Sequence, residues 1–160
     1  MSYILQGVLG SAPVLAPAKD FRNSRVIALN QGVCLLPVGR DLFDELSAGE
    51  PMDPGFTPCQ LFPPGFEHLL ARWSGIGPTA YVEADYFGGV GTQFAAVWRG
   101  GVLVFGPVLQ PEGAPFSATD GSLISQALRL LGVSRERHVD EFDAVGLGRY
   151  RDVDDWLRYA

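Results

Sequence analysis

Cysteine and histidine are scarce in this sequence. Cys34 and Cys59 are the only cysteines, and their surroundings are apolar or proline-rich, so we expect buried free thiols rather than a disulfide or a reactive centre. His68 and His138 are the only histidines, and neither has a second ligand at the spacing of a zinc site. Without a Gly-x-Ser-x-Gly string, a serine hydrolase triad is not expected either. The sequence therefore predicts no metal and no cofactor.

Positive charge is also scarce. The chain has 12 Lys and Arg against 18 Asp and Glu, which gives a net charge of −6, and Lys19 is the only lysine. An acidic surface repels nucleic acid and anionic lipid, so we expect neither nucleic acid nor a membrane as a partner, whereas a basic protein is a suitable one. No apolar run approaches the roughly 20 residues that span a bilayer, and Met1–Leu9 lacks the basic start of a signal peptide. We therefore expect a soluble, cytoplasmic protein.

The apolar residues that are present suffice for one core. The chain has 160 residues, 47% of them hydrophobic, which predicts a single domain over residues 1–160. Its 20 glycines and 12 prolines predict tight turns and short elements. We expect an α+β fold with a mainly antiparallel sheet of five or six strands and three or four packed helices. A mixed sheet is the alternative.

Short apolar or alternating runs predict the strands. Residues 2–9 predict a first strand, and residues 26–36 predict a hairpin whose loop contains Gly32. Residues 79–106 predict a three-stranded meander, because a glycine pair at residues 100 and 101 marks a tight turn. Both faces of this meander are apolar, so we expect helices on both sides.

Two further predictions concern the last strand of the meander and the residues after it. If residue 99 pairs with residue 102, Trp98 and Phe105 point to the same face of the sheet. The proline-rich residues 107–115 then predict a loop after the last strand.

Apolar residues spaced three or four apart predict three helices. They lie at residues 40–47, after the proline pair at 63–64, and before Gly132. The proline-rich residues 50–64 predict a loop across the body of the protein. Residues 134–160 are rich in charge, and we expect them to be ordered and to lie on the surface. We expect apolar anchors to hold them there: Phe142, Val145, Leu147, Tyr150, Trp156 and Leu157.

The first candidate site is a pair of carboxylates. Residues 81–87 alternate like a strand, which sends Glu83 and Asp85 to one face, with alpha-carbons roughly 6 to 7 Å apart. Two acids at this separation can raise each other's pKa, bind a cation or act as an acid and base pair. The alternative is an edge strand that points two acids at water.

The glycine-rich residues after this strand do not predict a phosphate site. Gly88, Gly89 and Gly91 lack the following helix of a dinucleotide loop and the Gly-Lys-Ser or Gly-Lys-Thr of a Walker loop, so a hairpin turn is expected. Gln93 and Arg99, on the next strand, are the groups that could orient an anionic substrate beside the carboxylates.

Several segments resemble known bacterial proteins. Tyr81–Gly91, Ala95–Trp98, Ser125–Gly132 and Glu141-Phe142-Asp143 resemble segments of a group of small acidic bacterial proteins. As a compact acidic α+β domain without a catalytic signature, the chain is similar to immunity proteins of polymorphic-toxin systems, which occlude a toxin's active site. This resemblance implies a protein-binding function. The acids that could contact a basic partner are Glu83, Asp85, Asp140, Glu141 and Asp143, with Asp152, Asp154 and Asp155 as further members of the pool.

Three functions remain open from the sequence. The first is a protein-binding module, most concretely an immunity-type protein that neutralises a basic toxin. The second is a small enzyme in which Glu83 and Asp85 bind a cation or transfer protons, with Gln93 and Arg99 as substrate ligands. The third is a structural or self-associating domain, for which an uncovered strand edge or apolar sheet face is the expected sign. The sequence leaves the oligomeric state open.

Overall fold

Six antiparallel strands form one sheet in the computed structural model, which describes residues 2–48 and 62–160. Their order across the sheet is β2-β3-β1-β4-β5-β6, so the first strand lies at the centre, beside the meander. The predicted α+β fold, first hairpin and meander are confirmed. The strands are β1 (Ser2–Ser11), β2 (Ile27–Ala28), β3 (Val33–Pro37), β4 (Thr79–Phe87), β5 (Val90–Arg99) and β6 (Val102–Gln110).

Short helices cover parts of both faces of this sheet. Helices α2, α3 and α4 lie where the apolar spacing predicts them. Across residues 2–48 and 62–160, no helix combines the length and the apolar composition of a membrane span. The helices are α1 (Ala12–Leu15), α2 (Arg40–Ser47), α3 (Phe66–Trp73), α4 (Leu123–Leu130), α5 (Glu141–Val145) and α6 (Val153–Tyr159), with a 3-10 helix (Ala16–Asp20) after α1.

The structure describes one of the two cysteines. Cys34 is a buried free thiol, as predicted, and burial raises its pKa. Cys59 and most of the loop predicted at residues 50–64 lie outside the described residues.

The sheet separates two apolar cores. On one side, called the α4 face, helices α4, α5 and α6 pack against residues such as Leu5 and Val82. On the other side, called the α3 face, helices α1, α2 and α3 pack against Val8, Tyr81 and Phe94. The prediction that helices cover both sides of the meander is confirmed.

The C-terminal residues contribute more to the core than the sequence predicts. Three of the predicted anchors, Val145, Leu147 and Trp156, are fully buried in the core of the α4 face, so this segment is part of the core as well as of the surface. Some of the charged residues in this segment stabilise its helices. The carboxylates of Asp140 and Asp152 cap the N-termini of α5 and α6. These caps help helices of only five and seven residues to form.

Strand β6 departs from simple alternation at two register shifts in its pairing with β5, and the first is a bulge at Val104. Trp98 pairs with Leu103, but Val97 pairs with Phe105, so Val104 is an extra residue on β6. Phe105 therefore packs into the core of the α4 face, whereas Trp98 packs on the α3 face. The prediction that these two aromatic rings share a face is wrong.

The same strand also continues through residues predicted to form a loop. It ends at Gln110 and contains Pro107. Because β6 is an edge strand, one of its sides has no hydrogen-bonded neighbour within the sheet, and an edge strand tolerates a proline there. The loop prediction for residues 107–110 is therefore wrong, because the sequence did not show that β6 lies at the edge of the sheet.

A second shift in the β5–β6 pairing, between Ala95 and Val97, makes Gly106 difficult to replace. Gly106 has φ +73°, and a Cβ atom there would lie 2.4 Å from the carbonyl oxygen of Ala95. Gly100, at the β5–β6 turn, has φ +59° and open space around its Cβ position. We expect Gly100→Ala to lower the free energy of unfolding by about 1–2 kcal/mol, and Gly106→Ala to lower it by about 3 kcal/mol, because the backbone must also move. Urea denaturation of both variants measures this difference, and equal losses would contradict the close approach of β6 to Ala95 at Gly106.

Candidate functional site

The two predicted carboxylates lie on the α3 face but in different surroundings. Glu83 is half-buried, and its Oε2 accepts a hydrogen bond of 2.6 Å from the hydroxyl of Tyr81. Asp85, one alternation further along β4, is exposed and lies opposite Thr92 of β5. The pair therefore shares a face, as predicted, with one acid held by a buried tyrosine and the other open to solvent.

Gln93 and Arg99 lie on the opposite face of the sheet. Gln93 pairs with Ala84 and is buried, and its Oε1 accepts a hydrogen bond of 3.0 Å from the N–H of Ile124. Arg99 donates from Nη2 to the carbonyl oxygen of Leu130, at 2.9 Å. These two side chains of β5 thus hold the first and last turns of α4, and they do not face the carboxylate pair. The four predicted catalytic residues form no common site.

The predicted acids around α5 also have structural partners. Asp140 caps the helix by accepting from the N–H of Asp143 at 2.8 Å, and the exposed carboxylate of Asp143 lies 3.1 Å from Nδ1 of His138. Glu141 is buried, with its Oε1 3.7 Å from Nε of Arg129. Because Glu141 is buried beside an arginine, little of its carboxylate reaches the surface, where the sequence predicts contact with a partner.

A cleft that the sequence did not predict opens at one end of the α4 face. It has a volume of about 430 Å³ and lies where β1, β4 and β5 extend beyond the cover of α4 and α5. Tyr3, Ala84, Tyr86 and Gln93 form its floor, and the turn at residues 88–89 lies at one end. Two of the sequence candidates, Gln93 and Asp140, line this cleft, although the sequence linked them to other surfaces.

Aromatic rings dominate the inner surface of the cleft. The rings of Tyr3 and Phe142 meet edge to face with their centroids 5.4 Å apart, and the hydroxyl of Tyr3 donates to the carbonyl oxygen of Leu147 at 2.8 Å. Burial raises the pKa of Tyr3 well above its usual value. Burial also raises the pKa of Tyr86, although a hydrogen bond with Gln93 partly opposes this shift. Both phenols are therefore neutral at physiological pH, and the floor carries no charge.

The wall of the cleft supplies its polar groups. Ser122, at the N-cap of α4, accepts a hydrogen bond from the N–H of Ser125 at 3.2 Å, which leaves its hydroxyl proton able to donate to a ligand. Asp140 and Arg151 provide one negative and one positive charge. The guanidinium of Arg151 is exposed, and it has no hydrogen bond or ion pair to any other residue within 2–48 and 62–160. Arg151 is thus a cation available at the opening of an aromatic cleft.

No protein-family model, curated protein or solved structure matches this chain. In the part of the chain that the structure describes, no group of three His, Cys, Asp or Glu side chains could hold a metal ion.

Replacement of Gln93 tests whether its side chain stabilises the packing of α4 on the sheet. We expect Gln93→Leu to lower the free energy of unfolding by about 1–3 kcal/mol, because the buried N–H of Ile124 loses its acceptor. Gln126→Leu is the matched control, since Gln126 is half-buried on the same helix and water can replace its bond to the carbonyl oxygen of Gly121. Urea denaturation compares the two variants. A neutral Gln93→Leu would show that this side chain does not hold α4.

Proposed function

We propose that this protein is a protein-binding domain that engages a basic partner through the open end of the α3 face. The supporting feature is a group of side chains that we call the hairpin face: Ile4, Asp85, Phe87 and Val90. Asp85 lies directly opposite Ile4 of β1, and Phe87 lies directly opposite Val90 of β5. The four side chains therefore form two adjacent rows on one side of the sheet.

The side chains of β4 on the α3 face become more exposed to solvent toward the end of the strand. Tyr81 is fully buried, Glu83 is half-buried and Asp85 is exposed. Phe87 at the end of the strand is 76% exposed, beside Val90 at 51% and Ile4 at 43%. Large apolar side chains exposed side by side are uncommon on a monomer and are typical of interaction surfaces.

The chemistry of the hairpin face indicates the kind of partner. Aromatic side chains, phenylalanine included, are enriched at protein interfaces, and the exposed ring of Phe87 is placed to act as an anchor. Asp85 puts a negative charge among the apolar groups, and the net charge of −6 attracts a cationic protein from a distance. A basic partner with an apolar contact patch fits both properties.

The resemblance to immunity proteins makes this proposal more specific. Such proteins bind a toxin and occlude its active site, and a basic toxin matches the charge of this chain. We therefore propose an immunity-type protein whose contact residues include Asp85 and Phe87. We do not propose the enzyme, because Glu83 and Asp85 lie on one face of the sheet and Gln93 and Arg99 on the other.

Charge reversal tests the location of the surface. Basic proteins captured from the source cells by the wild-type protein are purified, and their affinities are measured by titration calorimetry against Asp85→Arg and Asp154→Arg. Both variants change the net charge equally, but Asp154 lies on α6, which packs on the opposite face. We expect Asp85→Arg to weaken binding at least about tenfold and Asp154→Arg to weaken it much less, because only Asp85 lies inside the proposed contact.

The opposite result identifies a different surface. If Asp154→Arg weakens the complex as much as Asp85→Arg, the attraction is a general effect of net charge, and the hairpin face is not the contact. If every captured protein binds Asp85→Arg as tightly as wild type, the proposal fails.

One observation favours a second candidate, self-association. Strand β6 is an edge of the sheet, and it exposes Val102 at 62% and Val104 at 47%. An uncovered edge with apolar side chains can pair with the same edge of a second copy.

Sedimentation of the purified protein tests this candidate. If two copies pair through β6, the wild-type chain sediments as a dimer, and the Val102→Lys, Val104→Lys double variant sediments as a monomer, because four lysines then meet across the pair. A wild-type protein that remains monomeric at about 100 μM, a concentration at which contacts of micromolar affinity persist, removes self-association as a function.

A further inference from the structure

The aromatic cleft on the α4 face is separate from the hairpin face, because the sheet lies between them. We propose that this cleft binds a small planar aromatic molecule that carries one carboxylate. The proposal rests on three features of the cleft: its size, its rings and the charges at its opening. It does not depend on the protein-binding function proposed above.

The size and the rings determine the body of the ligand. A volume of about 430 Å³ is within the range of clefts that hold small organic molecules. Tyr3 and Phe142 already pack edge to face, and Tyr86 and Phe116 add two further rings to the lining. Aromatic rings pack well against a flat ring, through stacked or edge-to-face contacts. A planar aromatic body therefore matches the inner surface better than a sugar or an extended polar chain.

Arg151 determines the charged group. A guanidinium binds a carboxylate through two parallel hydrogen bonds, and the guanidinium of Arg151 makes no such bond to the described part of the protein. The neutral phenols of the floor do not repel an anion, and the hydroxyl of Ser122 can donate a further hydrogen bond. The anionic end of the ligand is thus placed at the opening, with the ring inside.

Asp140 limits the charge that the cleft accepts. Its carboxylate also lines the cleft and repels an anion, although it caps α5 through the N–H of Asp143. For a doubly charged phosphate, the repulsion from Asp140 and the attraction to Arg151 both double and largely offset each other, whereas the cost of removing the ion from water rises about fourfold. The combination of one arginine with one aspartate therefore favours a ligand with a single negative charge.

Two probes with the same ring separate the charge from the apolar contact. 2-Naphthoate carries the carboxylate, and 2-naphthamide is its neutral analogue. Each is titrated into the 160-residue chain, and the dissociation constant is measured by NMR chemical shifts. We expect wild type to bind 2-naphthoate about tenfold more tightly than 2-naphthamide, because only the carboxylate can pair with Arg151.

Variants assign this difference to individual residues. We expect Arg151→Gln to bind the two probes equally, whereas Arg149→Gln retains the wild-type difference. Arg149 is the matched control, because it is exposed in the same segment and does not line the cleft. Asp140→Asn should bind 2-naphthoate about two- to threefold more tightly, since it removes the repulsion and keeps a good cap for α5. Phe116→Ala should weaken both probes alike.

Three outcomes would overturn the proposal. The first is no saturable binding of either probe at millimolar concentration. The second is equal binding of both probes by wild type. The third is an effect of Arg149→Gln as large as that of Arg151→Gln. Asp85→Arg should leave the binding of 2-naphthoate unchanged, so failure of this proposal is distinct from failure of the hairpin-face proposal.

Discussion

Alternation of side chains along β4 and β5 decides which residues of this protein can act together. Neighbouring residues of a strand point to opposite faces, and the pairing of Glu83 with Phe94 and of Ala84 with Gln93 fixes which side chains of the two strands lie together. A shift of this register by one residue would exchange the two faces. The tight turn at residues 88–89 and the two buried cores prevent such a shift. The separation of the acids from Gln93 is therefore a property of the sheet itself and not of side-chain conformation.

Features that depend on a few neighbouring residues could be predicted from the sequence. The hairpins follow from their glycines, and α2, α3 and α4 follow from apolar residues on one side of each helix. The bulge at Val104 and the continuation of β6 through Pro107 could not be predicted in this way. An edge strand tolerates the proline and is where bulges are most common, and the edge position is set by strand order, which distant parts of the chain decide together.

The acids show why the candidate site was harder to predict than the fold. Counted in the sequence, Asp140, Glu141 and Asp143 look like one negative surface. In the structure, Asp140 caps a helix, Asp143 lies beside a histidine, and Glu141 is buried against Arg129. An acid three residues before another, at the start of a short apolar segment, is a signal for such a cap, and it was available in the sequence. No local sequence pattern predicts the cleft, because its aromatic rings come from four distant parts of the chain: β1, β4, the loop after β6 and α5.

The two open surfaces at the same end of the sheet have one geometric cause. Helices α3 and α4 have eight residues each, so they are about 12 Å long, whereas β1, β4 and β5 have nine or ten residues and extend about 30 Å. Helices of this length leave part of each strand uncovered on both faces. On the α4 face, α5 and the loop after β6 close around the uncovered part and leave a cleft. On the α3 face, Phe87 and Val90 remain exposed in the described structure. One mismatch of length thus gives the protein an aromatic cleft on one side and an open apolar surface on the other, which suit a small molecule and a protein respectively.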